Sequence, residues 1–179
     1  NVKLIIPGKM IHELERLLDD ENTVDVFIGD TQVAFAFGTT RIVTAIIEGT
    51  FPNYDMVIPK QHDKEALVNT AQFIEAVRRT RTMTNDKFNS VRFALAPGEM
   101  TLTVVTPEVG EYHEDMPIEY DGEEIDVAFN PDFVLDVLRH AGTELTSFVL
   151  KDSSSPGMLR PYREASKDNY INVIMPIRI

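Results

Sequence analysis

The sequence predicts an α+β protein assembled from repeats, and three observations carry that prediction. A short extended run leading into a helical apolar stripe recurs three times along the chain. Each helical pattern is followed by alternating, β-rich runs broken by turn residues, the period-two signature of strands. Apolar residues make up 43% of the 179 positions and include ten Phe, which supports a packed core rather than a disordered chain.

The first unit opens with Val2 to Ile6 as its extended run. Met10, Ile11, Leu14, Leu17 and Leu18 then recur at helical spacing and form one apolar stripe. Strands are expected over Val24–Ile28, Gln32–Phe37 and Arg41–Ile47, separated by the turn sequences GDT and FGTT. The second unit starts near Glu65, carries its stripe on Phe73, Ile74 and Val77, and loses helical pattern near Thr84 to Asp86. Its strands are expected over Val91–Leu95, Met100–Val105 and Gly110–Ile118, with APGE as a turn. The third unit begins at Glu124. Asn130 is a natural N-cap with Pro131 at the first helical position, and Arg139, His140 and Gly142 close the helix with positive charge and a left-handed cap. Strands follow at Thr146–Leu150, around Met158–Tyr162 and at Tyr170–Ile177. Aligned on their helices, Met10, Phe73 and Phe133 take equivalent places, as do Leu14, Val77 and Val137.

A β-α-β-β-β unit presents one apolar sheet face and one apolar helix stripe, and a second copy buries both. Residues 60–179 hold two copies and read as one complete domain. Residues 1–59 hold one, so the chain reads as the C-terminal piece of a longer protein, cut inside a domain. The formal charge of −12, from 17 Lys and Arg against 29 Asp and Glu, argues against a generally basic nucleic-acid binder. The charge is segregated, however. Glu108 to Asp136 contains no Lys or Arg, whereas Gln72 to Arg92 holds Arg78, Arg79, Arg81, Lys87 and Arg92. The absence of cysteine excludes disulfides, thiolate metal sites and a cysteine nucleophile, and fits a reducing cytoplasm. No apolar run reaches the length of a membrane-spanning helix, and no charged start precedes an apolar segment at the N-terminus.

No catalytic constellation emerges. His12, His62, His113 and His140 are scattered, so no metal site is expected. Glu111, His113, Glu114 and Asp115 have the chemistry for a hard cation but not ordered spacing; a solvated strand is the plainer reading. Ser153 to Gly157 looks superficially like a nucleophile elbow and reads better as a hairpin loop. Three stretches remain: EGTFPNYDMVIP at Glu48–Pro59, TNDKFNSVRF at Thr84–Phe93, and the apolar end INVIMPIRI at Ile171–Ile179. The last reads as a closing strand, with Pro176 at a strand edge or end and Ile177, Arg178 and Ile179 running past the sheet.

At these stretches the sequence resembles the bacterial β sliding clamps, the processivity subunits of DNA polymerase III. Glu48, Gly49, Phe51, Pro52, Tyr54, Val57, Ile58 and Pro59 match the family's connector. Thr84, Asn85, Asp86, Lys87 and Phe88 match its third-domain signature, and Val173, Met175, Pro176, Ile177, Arg178 and Ile179 match its end. The resemblance covers essentially the whole chain. It implies the DNA-clamp fold, with helices on one face of antiparallel sheets, two units per domain and three domains per subunit. Residues 1–59 would be the second half of the middle domain and residues 60–179 the third domain.

The resemblance implies a cytoplasmic, non-catalytic protein without cofactor or membrane contact. Two subunits join head to tail into a ring around duplex DNA, which they hold without reading sequence. Arg78 and Arg79 lie off the Phe73/Ile74/Val77 stripe, on the face that would point at DNA; Lys9, Arg139 and Arg16 are further candidates. Thr82 and Met83 align with the family's subunit contact. Pro52, Val57, Val173, Met175, Pro176, Ile177 and Arg178, with Phe133 beside them, would line a hydrophobic cleft. In the family that cleft takes motifs resembling Gln-Leu-x-Leu-Phe from the DNA polymerase III catalytic subunit, the clamp loader and repair proteins. The chain departs from many clamps in carrying Asp55 and Met56 where they carry basic residues. Two other classes make different predictions: a peptide-binding scaffold of the same fold would show no DNA dependence, and a carboxylate-based hydrolase would need a deep polar pocket.

Overall fold

The computed structural model describes residues 2–19, 23–58, 64–85, 87, 89–107, 109–162 and 170–178. The chain divides into two units, Asn1–Asn53 and Tyr54–Ile179.

In the first unit, helix α1 (Gly8–Leu17) precedes strands β1 (Asp25–Ile28), β2 (Gln32–Phe37) and β3 (Thr40–Ala45). The strands form one antiparallel sheet in the order β1-β2-β3. Met10 and Leu14 of α1 are buried with Val33, Phe35 and Phe37 of β2. Ile11 and Leu17, expected in the stripe, are 48% and 45% exposed. No side chain caps the start of α1, because Pro7 holds the N-cap position. The extended run at Val2–Ile6 forms no strand; its one ladder-like bond runs from Ile47 N–H to Ile5 O at 2.9 Å.

The second unit contains two repeats. A short 3₁₀ turn (Tyr54–Met56) comes first. The first repeat is β4 (Lys64–Asn69), α2 (Thr70–Arg81), β5 (Val91–Ala96), β6 (Glu99–Thr106) and β7 (Gly110–Pro117). The second is β8 (Ile125–Phe129), α3 (Pro131–Ala141), β9 (Leu145–Leu150), β10 (Gly157–Tyr162) and β11 (Asn172–Ile174). Two four-stranded antiparallel sheets result, ordered β11-β10-β9-β4 and β7-β6-β5-β8. Each repeat therefore lends its first strand to its neighbour: β4 pairs with β9, and β8 with β5.

Helices α2 and α3 start alike. Asn69 accepts from Gln72 N–H at 3.1 Å and Asn130 from Asp132 N–H at 2.9 Å, each satisfying an otherwise orphaned donor. Gly142 ends α3 at φ 60°, the left-handed cap that the sequence predicts. The caps correct the repeat alignment. The buried residues of α3 are Pro131, Val134, Leu135, Leu138 and Ala141, so the partners of Phe73 and Val77 are Val134 and Leu138, one position later than Phe133 and Val137.

Four phenylalanines from four elements meet at the centre: Phe73 (α2), Phe93 (β5), Phe129 (β8) and Phe148 (β9), all essentially inaccessible. Phe73 and Phe93 stand edge to face with centroids 6.1 Å apart, and Phe93 meets Phe148 at 6.1 Å in the same manner, a favourable quadrupole geometry. Gly157 on β10 is required by this cluster, since a Cβ there would sit 2.6 Å from Phe129 Cζ.

Candidate functional site

The C-terminal segment is the first candidate surface. Strand β11 pairs with β10 through Gly157–Ile174, Met158–Val173 and Leu159–Asn172. It is shorter than the predicted Tyr170–Ile177 because Pro176 has no N–H to extend the ladder. The chain leaves that sheet and reaches the other one, where Ile177 N–H donates to Ala128 O of β8 at 2.8 Å. Residues Met175 and Pro176 thus bridge two sheets. Ile174 is buried and Val173 half-buried, whereas Met175 is 62% and Ile177 37% exposed; Arg178 is exposed. Ile179 lies outside the described residues.

Two elements leave β8 at this end: the bridge to Ile177, and α3 through its Asn130 cap. Phe133 sits in the first turn of α3 and is 58% exposed, because the core stripe begins at Val134 instead. Val57 is exposed in the turn after the 3₁₀ segment, its N–H bonded to Tyr54 O at 3.0 Å. Pro52 is exposed in the first unit. Pro59 lies outside the described residues.

The outward face of α2 is the second. Phe73, Ala76, Val77 and Thr80 point into the core, so helical geometry places Arg78 opposite them and Arg79 on the flank nearest β7. Arg78 donates to Glu75 of its own helix at 2.7 Å. Arg79 binds both carboxylate oxygens of Glu114 on β7, with Nε at 3.2 and 3.1 Å and Nη2 closing the fork. Tyr112 Oη donates to the same carboxylate at 3.1 Å. The bond from Arg79 holds the Glu114 carboxyl below its ordinary range, and Glu114 pushes Arg79 up; loss of solvent raises the Tyr112 hydroxyl. Arg81 Nε binds Asp132 Oδ1 of α3, and Asn89 Nδ2 takes Oδ2 at 3.1 Å, so Asp132 is likewise depressed, chiefly by Arg81. Arg139 faces Asp136 at 3.4 Å and Arg16 faces Glu13 at 2.5 Å, both pairs within one helix turn. Lys9 is exposed on α1 and has no ion pair among the described residues.

Thr82 caps the end of α2 and donates through Oγ1 to Arg79 O at 2.7 Å, while Met83 is half-buried against the unit's own core. Beside them β7 is a sheet edge, paired among the described residues with β6 alone. The signature Thr84–Phe88 is described in part: Lys87 N–H donates to Asn85 Oδ1 at 3.0 Å, and Asp86 and Phe88 lie outside the described residues. Strand alternation splits the Glu111, His113, Glu114, Asp115 group. Glu114 turns toward α2 while His113 pairs with Glu111 at 3.1 Å and Asp115 accepts from Thr101 at 2.7 Å. Of the Ser153–Gly157 stretch, residues 153–156 lie in the β9–β10 hairpin loop and Gly157 opens β10, with Asp152 accepting from the N–H and hydroxyl of both Ser154 and Ser155. Sequence reasoning named Glu114 only as one of an acidic group and missed that Glu114 and Asp132 partner Arg79 and Arg81, although Glu114 carried a signal: it shares the inward period of β7 with Tyr112 and Met116, where a charge demands a partner.

A repeated α+β protein with an exposed apolar tail and three arginines on one helix has the features of a docking scaffold. Comparison with known proteins sharpens that class. Residues 55–178 match the family model described as DNA polymerase III beta subunit, C-terminal domain, and residues 1–53 match the central domain of the same subunit. The beta sliding clamp of Chlamydia muridarum is 33% identical over 98% of this chain, and that of Pseudomonas putida 33% identical over 99%. The crystal structure of the Pseudomonas aeruginosa DNA polymerase sliding clamp superposes with a TM-score of 0.89 at 33% identity, over 98% of this chain and 48% of that one. A Bartonella birtlesii sliding clamp bound to griselimycin superposes at 0.89 with 29% identity, over 98% and 47%. The chain belongs to the DNA polymerase III beta subunit family, the beta sliding clamps. It spans about half the length of the curated relatives it matches, 46% and 48% for the two named here.

Proposed function

We propose that this chain is the part of a DNA sliding clamp that carries the partner-docking cleft, one subunit contact and part of the duplex-facing surface. In this reading residues 1–59 are the second half of the middle domain and residues 60–179 the third. The observation that carries it is the tail: Met175 and Ile177 are large, apolar and exposed, yet held between two sheets by β11 and the Ile177–Ala128 bond. An exposed apolar surface anchored at both ends suits capture of a short hydrophobic segment. Val173, Met175, Pro176, Ile177 and Arg178 form its described centre, with Phe133 and Val57 as further walls. The partners are the polymerase catalytic subunit, the clamp loader and other proteins bearing a Gln-Leu-x-Leu-Phe type of motif.

Duplex DNA is held non-specifically by helix cations, Lys9 in the first unit and Arg78 and Arg139 in the second, with Arg79 on the flank of Arg78 and bound to Glu114. Loose contacts to phosphate permit sliding, and the protein needs no catalytic group or cofactor for it. Ring closure places Thr82, Met83 and the open edge of β7 against a second subunit. The open edge of β1 receives a strand from the other half of the middle domain, as β5 and β9 receive theirs.

A fluorescent Gln-Leu-Ser-Leu-Phe peptide titrated into the chain tests the docking cleft. Saturable binding is expected, and Met175→Ser, which leaves the Ile177–Ala128 bridge intact, should weaken it roughly tenfold, the scale of losing one large apolar contact. Equal affinity for the variant would move the cleft elsewhere.

A further inference from the structure

Helix α2 carries three arginines within about one turn, and each meets its carboxylate differently. Glu75, the partner of Arg78, lies on the same helix, and both side chains are half exposed. Such a pair is weak, and a phosphate can replace the carboxylate at little cost. Arg79 is held on both oxygens by Glu114, a residue of another element whose side chain is only 14% exposed. Tyr112 donates to that carboxylate as well. A phosphate competing for Arg79 would have to break a forked bond and strand a negative charge largely away from water. Arg81 is committed to Asp132, whose second oxygen is taken by Asn89. Only Arg78 lies opposite the buried stripe with a partner it can readily exchange.

We propose that Glu114 and Asp132 mask Arg79 and Arg81, so that α2 offers a duplex one exchangeable cation, Arg78, rather than a patch of three. The proposal rests on the reading of α2 as a DNA-facing helix. Its consequence is a shallow hold: each phosphate contact withheld makes binding weaker and less dependent on salt. Glu114 thereby sets how firmly the helix grips.

The arginine Nε–H signals of the isotope-labelled chain, followed by NMR as a short blunt-ended duplex is added, test this directly. The Arg78 signal should move and those of Arg79 and Arg81 should stay. In Glu114→Gln the Arg79 signal should move too, duplex affinity at low salt should rise roughly tenfold, and the salt slope should steepen by about one contact. Glu111→Gln makes the same change of charge on the opposite face of β7 and should leave the slope as it was. Tyr112→Phe removes one bond to Glu114 without changing charge, and should move Arg79 in the same direction by less. Movement of Arg79 beside Arg78 in the unaltered chain would overturn the masking while leaving the DNA-facing helix standing. So would Glu114→Gln binding no better than Glu111→Gln. If no arginine signal moves in any form, the DNA-facing assignment of α2 falls, and the masking with it.

Discussion

The two units are built from the same repeat but in different numbers, and the difference shows what a single repeat lacks. In the second unit β5 and β9, the strands that follow the helices, each take a neighbour's first strand along their free side. In the first unit the equivalent strand, β1, has β2 on one side only among the described residues, and all four of its residues are exposed, Val26, Phe27 and Ile28 among them. Arg41 covers part of this surface, its Cζ lying 5.4 Å from the centre of the Phe27 ring. The second unit closes around four interlocked phenylalanines; the first has one helix over three strands. In the second unit each repeat completes the other, its first strand lying in the other's sheet.

Equivalent core positions should respond unequally if this is right. Leu138→Ala in α3 removes a side chain that is 1% exposed and should cost about 2–5 kcal/mol. Leu14→Ala, at the matching place in α1, should cost clearly less, since its site is 8% exposed and can collapse more easily. Urea unfolding with a probe in each unit would measure both, and equal losses would break the comparison.

The helix caps offer a smaller test. Asn130→Ala should destabilise the second unit by about 1 kcal/mol through loss of the bond to Asp132 N–H. Pro7→Asp should have the opposite sign in the first unit, because it supplies the acceptor that α1 lacks. Thermal melts of the two variants would show shifts in opposite directions.

Acid should sharpen the contrast least. The Glu114 and Asp132 carboxyls are depressed below their ordinary values of 4.5 and 3.8 by Arg79 and Arg81. A depressed carboxyl stabilises the fold above its ordinary value, and that contribution is lost as pH falls through the lower, folded value. The bonds joining α2 to β7 and α3 should therefore weaken below about pH 4, while the described pairs of α1 lie within the helix and tie no elements together. Amide exchange along α2 as a function of pH would detect this, and in Glu114→Gln the β7 side should no longer respond.

Most elements were legible because their signals are local. The stripe of α1, the Asn130–Pro131 start and Gly142 end of α3, and the alternation of β5 and β6 are written in a few adjacent residues. The one-position error at Phe133 arose because an aromatic beside a stripe looks like part of it, and only the matching caps at Asn69 and Asn130 settle the alignment. Strand exchange was not legible, since β4 and β9 are distant in sequence and nothing in either names its partner. For the site, the tail residues could be read as an apolar run out of place. The partners of Arg79 and Arg81 could not, because each is brought in by the fold.

The lending of strands also fixes an order of events during synthesis. β4 emerges early, but its ladder partner β9 is made only after β5 to β8 and α3. The β7-β6-β5-β8 sheet is complete only once residues 125–129 have left the ribosome, and the β11-β10-β9-β4 sheet only once residues 172–174 have, so closure is a late event that joins distant parts of the chain. Until then β4 presents an unpaired flank in a crowded cell, open to the same strand of a neighbouring nascent chain. A translational pause placed just before Leu145 would lengthen that exposure more than one placed after Leu150.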